Sequence, residues 1–173
     1  LENAIYMGMK NDVAFMLFDQ LMLYEHQSTV NPNIPLRNLF YVSEVYSGMV
    51  DSNRMYSSSL VKIPEPTFVE FYNGMTKVPE RYEKKLSDAF ITNHGDPELE
   101  LKVSVININS GNNEELKQAC ETLYGYCYYV EKVREYMKTA DIQKAVPKAV
   151  DDCIRNDILS DFFRKNRDEV TKV

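Results

Sequence analysis

The chain has 173 residues, of which 44% are hydrophobic and 27% charged, with a net charge of −6. That is apolar material enough for one domain with its own core and too much for intrinsic disorder. The acidic balance supplies no global positive field toward nucleic acid, although a local basic groove is compatible with it, and no run reaches the ~18 apolar residues of a membrane helix.

The opening Leu1-Glu2-Asn3-Ala4 has neither the basic nor the apolar region of a signal peptide, and it lacks an initiator methionine. It reads as the start of a fragment. Three cysteines, Cys120, Cys127 and Cys153, are an odd number without a CxxC pair, which fits a reducing, cytoplasmic setting. Cys120 and Cys127 are two helical turns apart, and all three read as buried structural thiols. With His26 and His94 as the only imidazoles, a His-rich zinc site or a serine triad is disfavoured.

In chain order, Val13 to Leu17 and Leu21 to Tyr24 are short apolar runs joined by Phe18-Asp19-Gln20, which predicts an antiparallel hairpin. The turn-rich Asn31-Pro32-Asn33-Ile34-Pro35 suits a helix start, and apolar residues then recur at helical spacing from Leu36 to about Val50. Asp51 to Ser59 reads as polar loop. Thr67 to Tyr72 reads as a strand closed by Asn73-Gly74, and Lys77 to His94 as charged and irregular. Leu99 to Ile108 is the strongest strand. It alternates at Leu99, Leu101, Val103 and Val105, then turns apolar on the other parity at Ile106 and Ile108, which predicts cover on both faces of that end.

Asn112 with Glu115 resembles a capping box. Leu116, Cys120, Leu123, Cys127, Val130, Val133 and Met137 then predict one long helix packed by that stripe against the sheet. Two shorter helices follow, near Asp141 to Arg155 and Ile158 to Val170, with Pro147 bending the first. The sum is an α+β chain, one domain over 1–173, with a sheet-rich first half and a helical second half.

The hairpin gathers polar residues. If paired indices sum to about 38, Asp12 lies opposite Glu25-His26-Gln27, and Glu25 shares a face with Gln27. Two carboxylates ending apolar strands call for a cation to neutralise them. Lys10 or Arg37 is one candidate, a divalent Mg²⁺ or Mn²⁺ ion held by an oxygen-rich donor set a second, and solvent a third.

The run Tyr24-Glu25-His26-Gln27-Ser28-Thr29, then Asn31-Pro32-Asn33-Ile34-Pro35-Leu36-Arg37 and Tyr41, resembles the signature of the recombination-promoting nuclease (Rpn)/putative transposase family, part of the PD-(D/E)XK nuclease superfamily. Thr67 to Gly74, Leu86 to Phe90, Val105 to Gly111 and the end from Cys153 to Val170 resemble later blocks of that family, so the likeness runs along essentially the whole chain. It implies a restriction-endonuclease-like core, a mixed sheet flanked by helices, and a metal-dependent DNA endonuclease with Mg²⁺ or Mn²⁺, DNA as partner and no small-molecule cofactor or membrane. A homodimer is compatible with it. Carried over, Asp12 and Glu25 would hold the metal with the backbone carbonyl of His26. Gln27 would stand at the superfamily's lysine position, and Lys10 would supply the missing charge. Only Leu1 to Asn11 precede Asp12, so the family's first helix would be curtailed. The alternative function is an inactive nuclease-fold module that binds nucleic acid or protein. No nucleotide loop GxxxxGK[ST] and no GxSxG elbow supports a different hydrolase.

Other residues have plainer readings. His26 faces away from Glu25 on a regular strand and reads as structural. Arg37 suits either a phosphate or a salt bridge to Glu25 or Glu44. Glu70 could add a carboxylate from a neighbouring strand, or be paired or solvated. Asp88 reads as a turn cap, Asn107 and Asn109 as turn and cap residues, and the tyrosines around Tyr124 to Tyr129 as core and rim more than as base-stacking platforms.

Overall fold

The computed structural model describes residues 13–17, 19–92 and 94–172. Asp12 and Lys10 lie outside them. By internal contacts the chain divides into two compact units, the first ending at Asn107 and the second beginning at Ile108.

The first unit is built on a five-stranded mixed sheet in the order β1-β2-β3-β5-β4. β1 (Val13–Leu17) and β2 (Gln20–Gln27) form the expected hairpin, one residue tighter than anticipated, with Val13 opposite Tyr24 and Leu17 opposite Gln20. β2 runs parallel to β3 (Glu65–Tyr72), and β3 runs parallel to β5 (Lys102–Asn107). Parallel neighbours need a crossover. Between β2 and β3 it contains α1 (Ile34–Met49) and a short 3-10 turn at Arg54–Tyr56. Pro35 in the first turn of α1 has no N–H to leave unsatisfied there.

One sheet face is apolar on alternate residues, as period two requires. Leu21, Leu23, Phe68, Leu101 and Val103 pack with Ile34, Tyr41, Val42 and Val45 of α1 into one buried cluster. Each such side chain contributes roughly 1.5–3 kcal/mol on burial, so this layer fixes the register of β2, β3 and β5. On the other face, the rings of Tyr24 and Phe15 meet edge to face at 5.4 Å, and Phe71 lies 5.6 Å beyond.

The stretch expected to be irregular contains a strand instead. β4 (Arg81–Lys85) runs antiparallel to β5 and passes into a 3-10 turn at Leu86–Ala89. Its outward residues Arg81, Glu83 and Lys85 are exposed and charged, which suits a sheet edge and hides the strand from a hydrophobicity scan. Asp88 accepts from the Lys85 N–H and caps that turn as expected. β5 starts three residues later than its alternation suggested. Asn107, expected in a turn, is the buried last residue of that strand.

The second unit is helical. The single long helix anticipated after residue 115 is broken: α2 (Glu114–Ala119) and α3 (Glu121–Tyr136) meet at Cys120, whose backbone is extended at φ −133° and ψ 98°. Cys120 is exposed, so the buried-stripe expectation fails there. Leu116, Leu123, Cys127 and Val130 are half-buried. The capping box is also replaced. α2 begins at Glu114 after a left-handed Asn113, and Glu114 accepts from the Gly111 N–H at 2.9 Å and from Lys117 at 2.7 Å. Asn109 accepts from Arg134 at 2.9 Å.

α4 (Ile142–Arg155), capped by the Asp141 carboxylate, accommodates Pro147 without ending, and α5 (Ser160–Val170) follows. Val150, Cys153 and Phe163 centre the core of this unit, with Tyr128, Tyr129 and Leu159 packed on it. Gly125 makes the packing possible, because a Cβ there would collide with the Leu159 side chain.

Candidate functional site at the carboxyl ends of the parallel strands

Register partners on neighbouring strands lie side by side on one face. Glu25 of β2 is the partner of Glu70 on β3, Glu70 of Val105 on β5, and Val105 of Tyr82 on β4. One row, polar on β2, β3 and β4 but not on β5, therefore crosses the sheet directly beyond the apolar layer. The next row toward the strand ends holds Gln27, Tyr72 and Asn107. This is the carboxyl-end margin of three parallel strands, where open α/β sheets place their ligands.

The carboxylates are deeply set, Glu25 being 6% exposed and Glu70 0%. Ionised groups at that depth need partners, and both have them. Arg37 Nη2 donates to Glu25 Oε1 at 2.7 Å, and Gln27 Nε2 donates to the same oxygen at 2.9 Å. Lys84 Nζ donates to both oxygens of Glu70, at 2.8 and 2.6 Å, and to the Asn31 carbonyl at 2.9 Å. The Glu25–Arg37 contact was one of two readings of Arg37 from the sequence, and the placement of Glu70 beside Glu25 was one reading of that residue.

The two pairs differ in character. Lys84 is itself buried, whereas the Arg37 side chain is 47% exposed. Burial pushes the Glu70 carboxyl above the usual glutamate range, outweighing the Lys84 hydrogen bond and charge and the Arg37 charge that pull it down. Among the described residues, the Tyr82 hydroxyl is buried without a hydrogen-bond partner. Its pKa is raised first by burial and then by the charge of Glu70 and by Tyr72.

The surrounding loops are held to the strand ends. The Asn73 N–H donates to the Gln27 carbonyl at 3.1 Å, and the Tyr72 hydroxyl donates to the Thr76 carbonyl at 2.9 Å. Gly74 sits so close to Ser28 that a Cβ there would strike the Ser28 carbonyl oxygen and the Tyr72 hydroxyl. The loops that carry Asn31 and Gly74 are thereby fixed relative to Glu25 and Glu70.

Of the residues singled out from the sequence, Glu25, Gln27 and Arg37 come together here. His26 pairs with Phe71 in the alternate register, so its ring lies on the opposite face from Glu25. Lys84 and Tyr82 were missed. Reading Arg81–Lys85 with period two puts both on one inward face, and that is the only sequence signal for them.

Among the described residues, no group of three or more His, Cys, Asp or Glu side chains is arranged to hold a metal ion. No helix there is long and apolar enough to cross a membrane. No family model, curated protein or solved structure matches the chain.

Proposed function

We propose that this chain is a metal-dependent DNA endonuclease of the PD-(D/E)XK class, with a restriction-endonuclease-like core and its active site on the margin formed by β2 and β3. The resemblance in sequence motivates the class. The observation that carries the assignment is the pair Glu25 and Glu70, two buried carboxylates at matched register on adjacent strands, with Gln27 and Lys84 beside them. A pair of carboxylates fits a hard cation such as Mg²⁺ or Mn²⁺. Glu25 and Glu70 would hold it, with Asp12 as a sequence-based addition from outside the described residues. Such an ion, if bound there, would supply activation of water and stabilisation of charge on a phosphodiester.

The chain's own groups have separable tasks. Gln27 fixes the orientation of Glu25 through its amide N–H and contributes no charge. Lys84 pulls the Glu70 carboxyl down against the rise that burial imposes and anchors the Asn31 loop. Arg37 supplies a half-exposed guanidinium, the group best suited to meet a phosphate. The test is nicking of plasmid DNA in Mg²⁺, expected for the wild type and lost in Glu25→Gln and Asp12→Ala.

A second reading is favoured by a specific observation: both carboxylates are already neutralised by protein cations. In that reading the chain is an inactive nuclease-fold module that binds nucleic acid or protein. It requires that no variant nicks DNA and that Mg²⁺ leaves the melting temperature unmoved.

A further inference from the structure

The two ion pairs at the site are unequal in a way that bears on how a cation would enter. Lys84 is buried, contacts both oxygens of Glu70 and is also bound to the Asn31 carbonyl. Parting it from Glu70 would break two hydrogen bonds and leave a buried charge bare. Arg37 makes one charged contact, Nη2 to Glu25 Oε1 at 2.7 Å, from the amino-terminal turns of α1, with its side chain 47% exposed. A guanidinium so placed can turn into water at little desolvation cost. Glu25, 7% exposed in its side chain, cannot follow it.

From this asymmetry we infer that Arg37 is an exchangeable guard on Glu25. A divalent cation binds by displacing the guanidinium, whereas the Lys84–Glu70 pair stays in place as a fixed part of the site. The inference rests on the metal-dependent reading above and adds its regulation: metal affinity is set by competition with a charge that belongs to the chain. The displaced guanidinium, a planar donor with two free edges, is then available to an anionic substrate. Substrate phosphate and metal would therefore favour each other's binding, because both draw Arg37 away from or keep it off Glu25.

The experiment is Mn²⁺ binding to the full chain without DNA, followed by electron paramagnetic resonance of the free ion and by the Mn²⁺-induced shift in melting temperature. Wild type, Arg37→Met, Arg37→Gln and Arg37→Lys are compared. Arg37→Met and Arg37→Gln should bind Mn²⁺ roughly ten- to a hundredfold more tightly than wild type, the range for removing one charge-assisted hydrogen bond. Their melting temperatures without metal should fall, since Glu25 loses one charge-assisted hydrogen bond, and should rise further on Mn²⁺ addition than that of the wild type. Arg37→Lys, which keeps the charge, should stay near wild type. The glutamine variant keeps polar contacts if methionine prevents folding. Equal or weaker binding in the neutral variants, with the wild type binding Mn²⁺, overturns the guard and leaves the metal site standing. No Mn²⁺ binding in any of the four overturns the metal-dependent reading itself.

Discussion

Lys84→Met isolates the energetics of the buried pair. The substitution keeps most of the side-chain volume and removes the ammonium that holds both oxygens of Glu70, a residue with 0% exposure. Removing one partner of a buried pair costs about 3–5 kcal/mol, because the remaining charge is stranded. Glu70 can escape by taking a proton, and this gives the loss a pH signature. Its carboxyl already titrates above the ordinary value of 4.5, since burial outweighs the help of Lys84 and Arg37. A raised carboxyl contributes stability that is fully present below the unfolded pKa and is lost as pH rises through the folded one. Without Lys84 two of the lowering influences vanish and the folded value climbs further. The variant should therefore be destabilised by about 3–5 kcal/mol at pH 8 and by distinctly less at pH 5. Urea denaturation followed by circular dichroism at both values measures this. The double variant Lys84→Met/Glu70→Met should recover most of the loss, as apolar replacements of buried pairs do. A loss below about 1 kcal/mol, the range of exposed pairs, or one independent of pH, would refute the claim that Lys84 stabilises the Glu70 carboxylate.

Gly74→Ala should destabilise the first unit by about 1–3 kcal/mol in thermal melts, since its Cβ meets backbone at Ser28 that cannot yield cheaply. An unchanged melting temperature would mean that the two loops are not held together. Native-state thiol labelling followed by mass spectrometry should modify Cys120 rapidly and leave Cys153 protected, because Cys153 is buried and its thiol is pushed up to about 11, chiefly by desolvation. Equal labelling of the two would contradict the break between α2 and α3.

What could be read from the sequence was what hydrophobic period and turn chemistry encode. The apolar run at Leu21–Tyr24, the alternation at Leu101–Val105 and the Asn31–Pro35 helix start have direct physical consequences: β2 contains the run, β5 falls within its expected span, and α1 begins at the expected start. β4 escaped because an edge strand carries its charges outward and here turns a lysine inward, so no apolar alternation marks it. The helix break at Cys120 escaped for the opposite reason. A stripe at helical spacing persists across it, and no Gly or Pro announces the interruption. At the site, the shared face of Glu25 and Gln27 follows from strand period alone. The partnership of Glu70 with Lys84 depends on strand order, which brings together residues fourteen apart in sequence through β5.

Anomalous diffraction from crystals soaked in Mn²⁺ decides whether the margin around Glu25 and Glu70 is a divalent-cation site. A peak is expected about 2.1 Å from a carboxylate oxygen of Glu25, with the Arg37 guanidinium moved off that carboxylate and Lys84 still on Glu70. A map with no peak there, and Arg37 still seated on Glu25 at saturating Mn²⁺, would contradict the divalent-cation site.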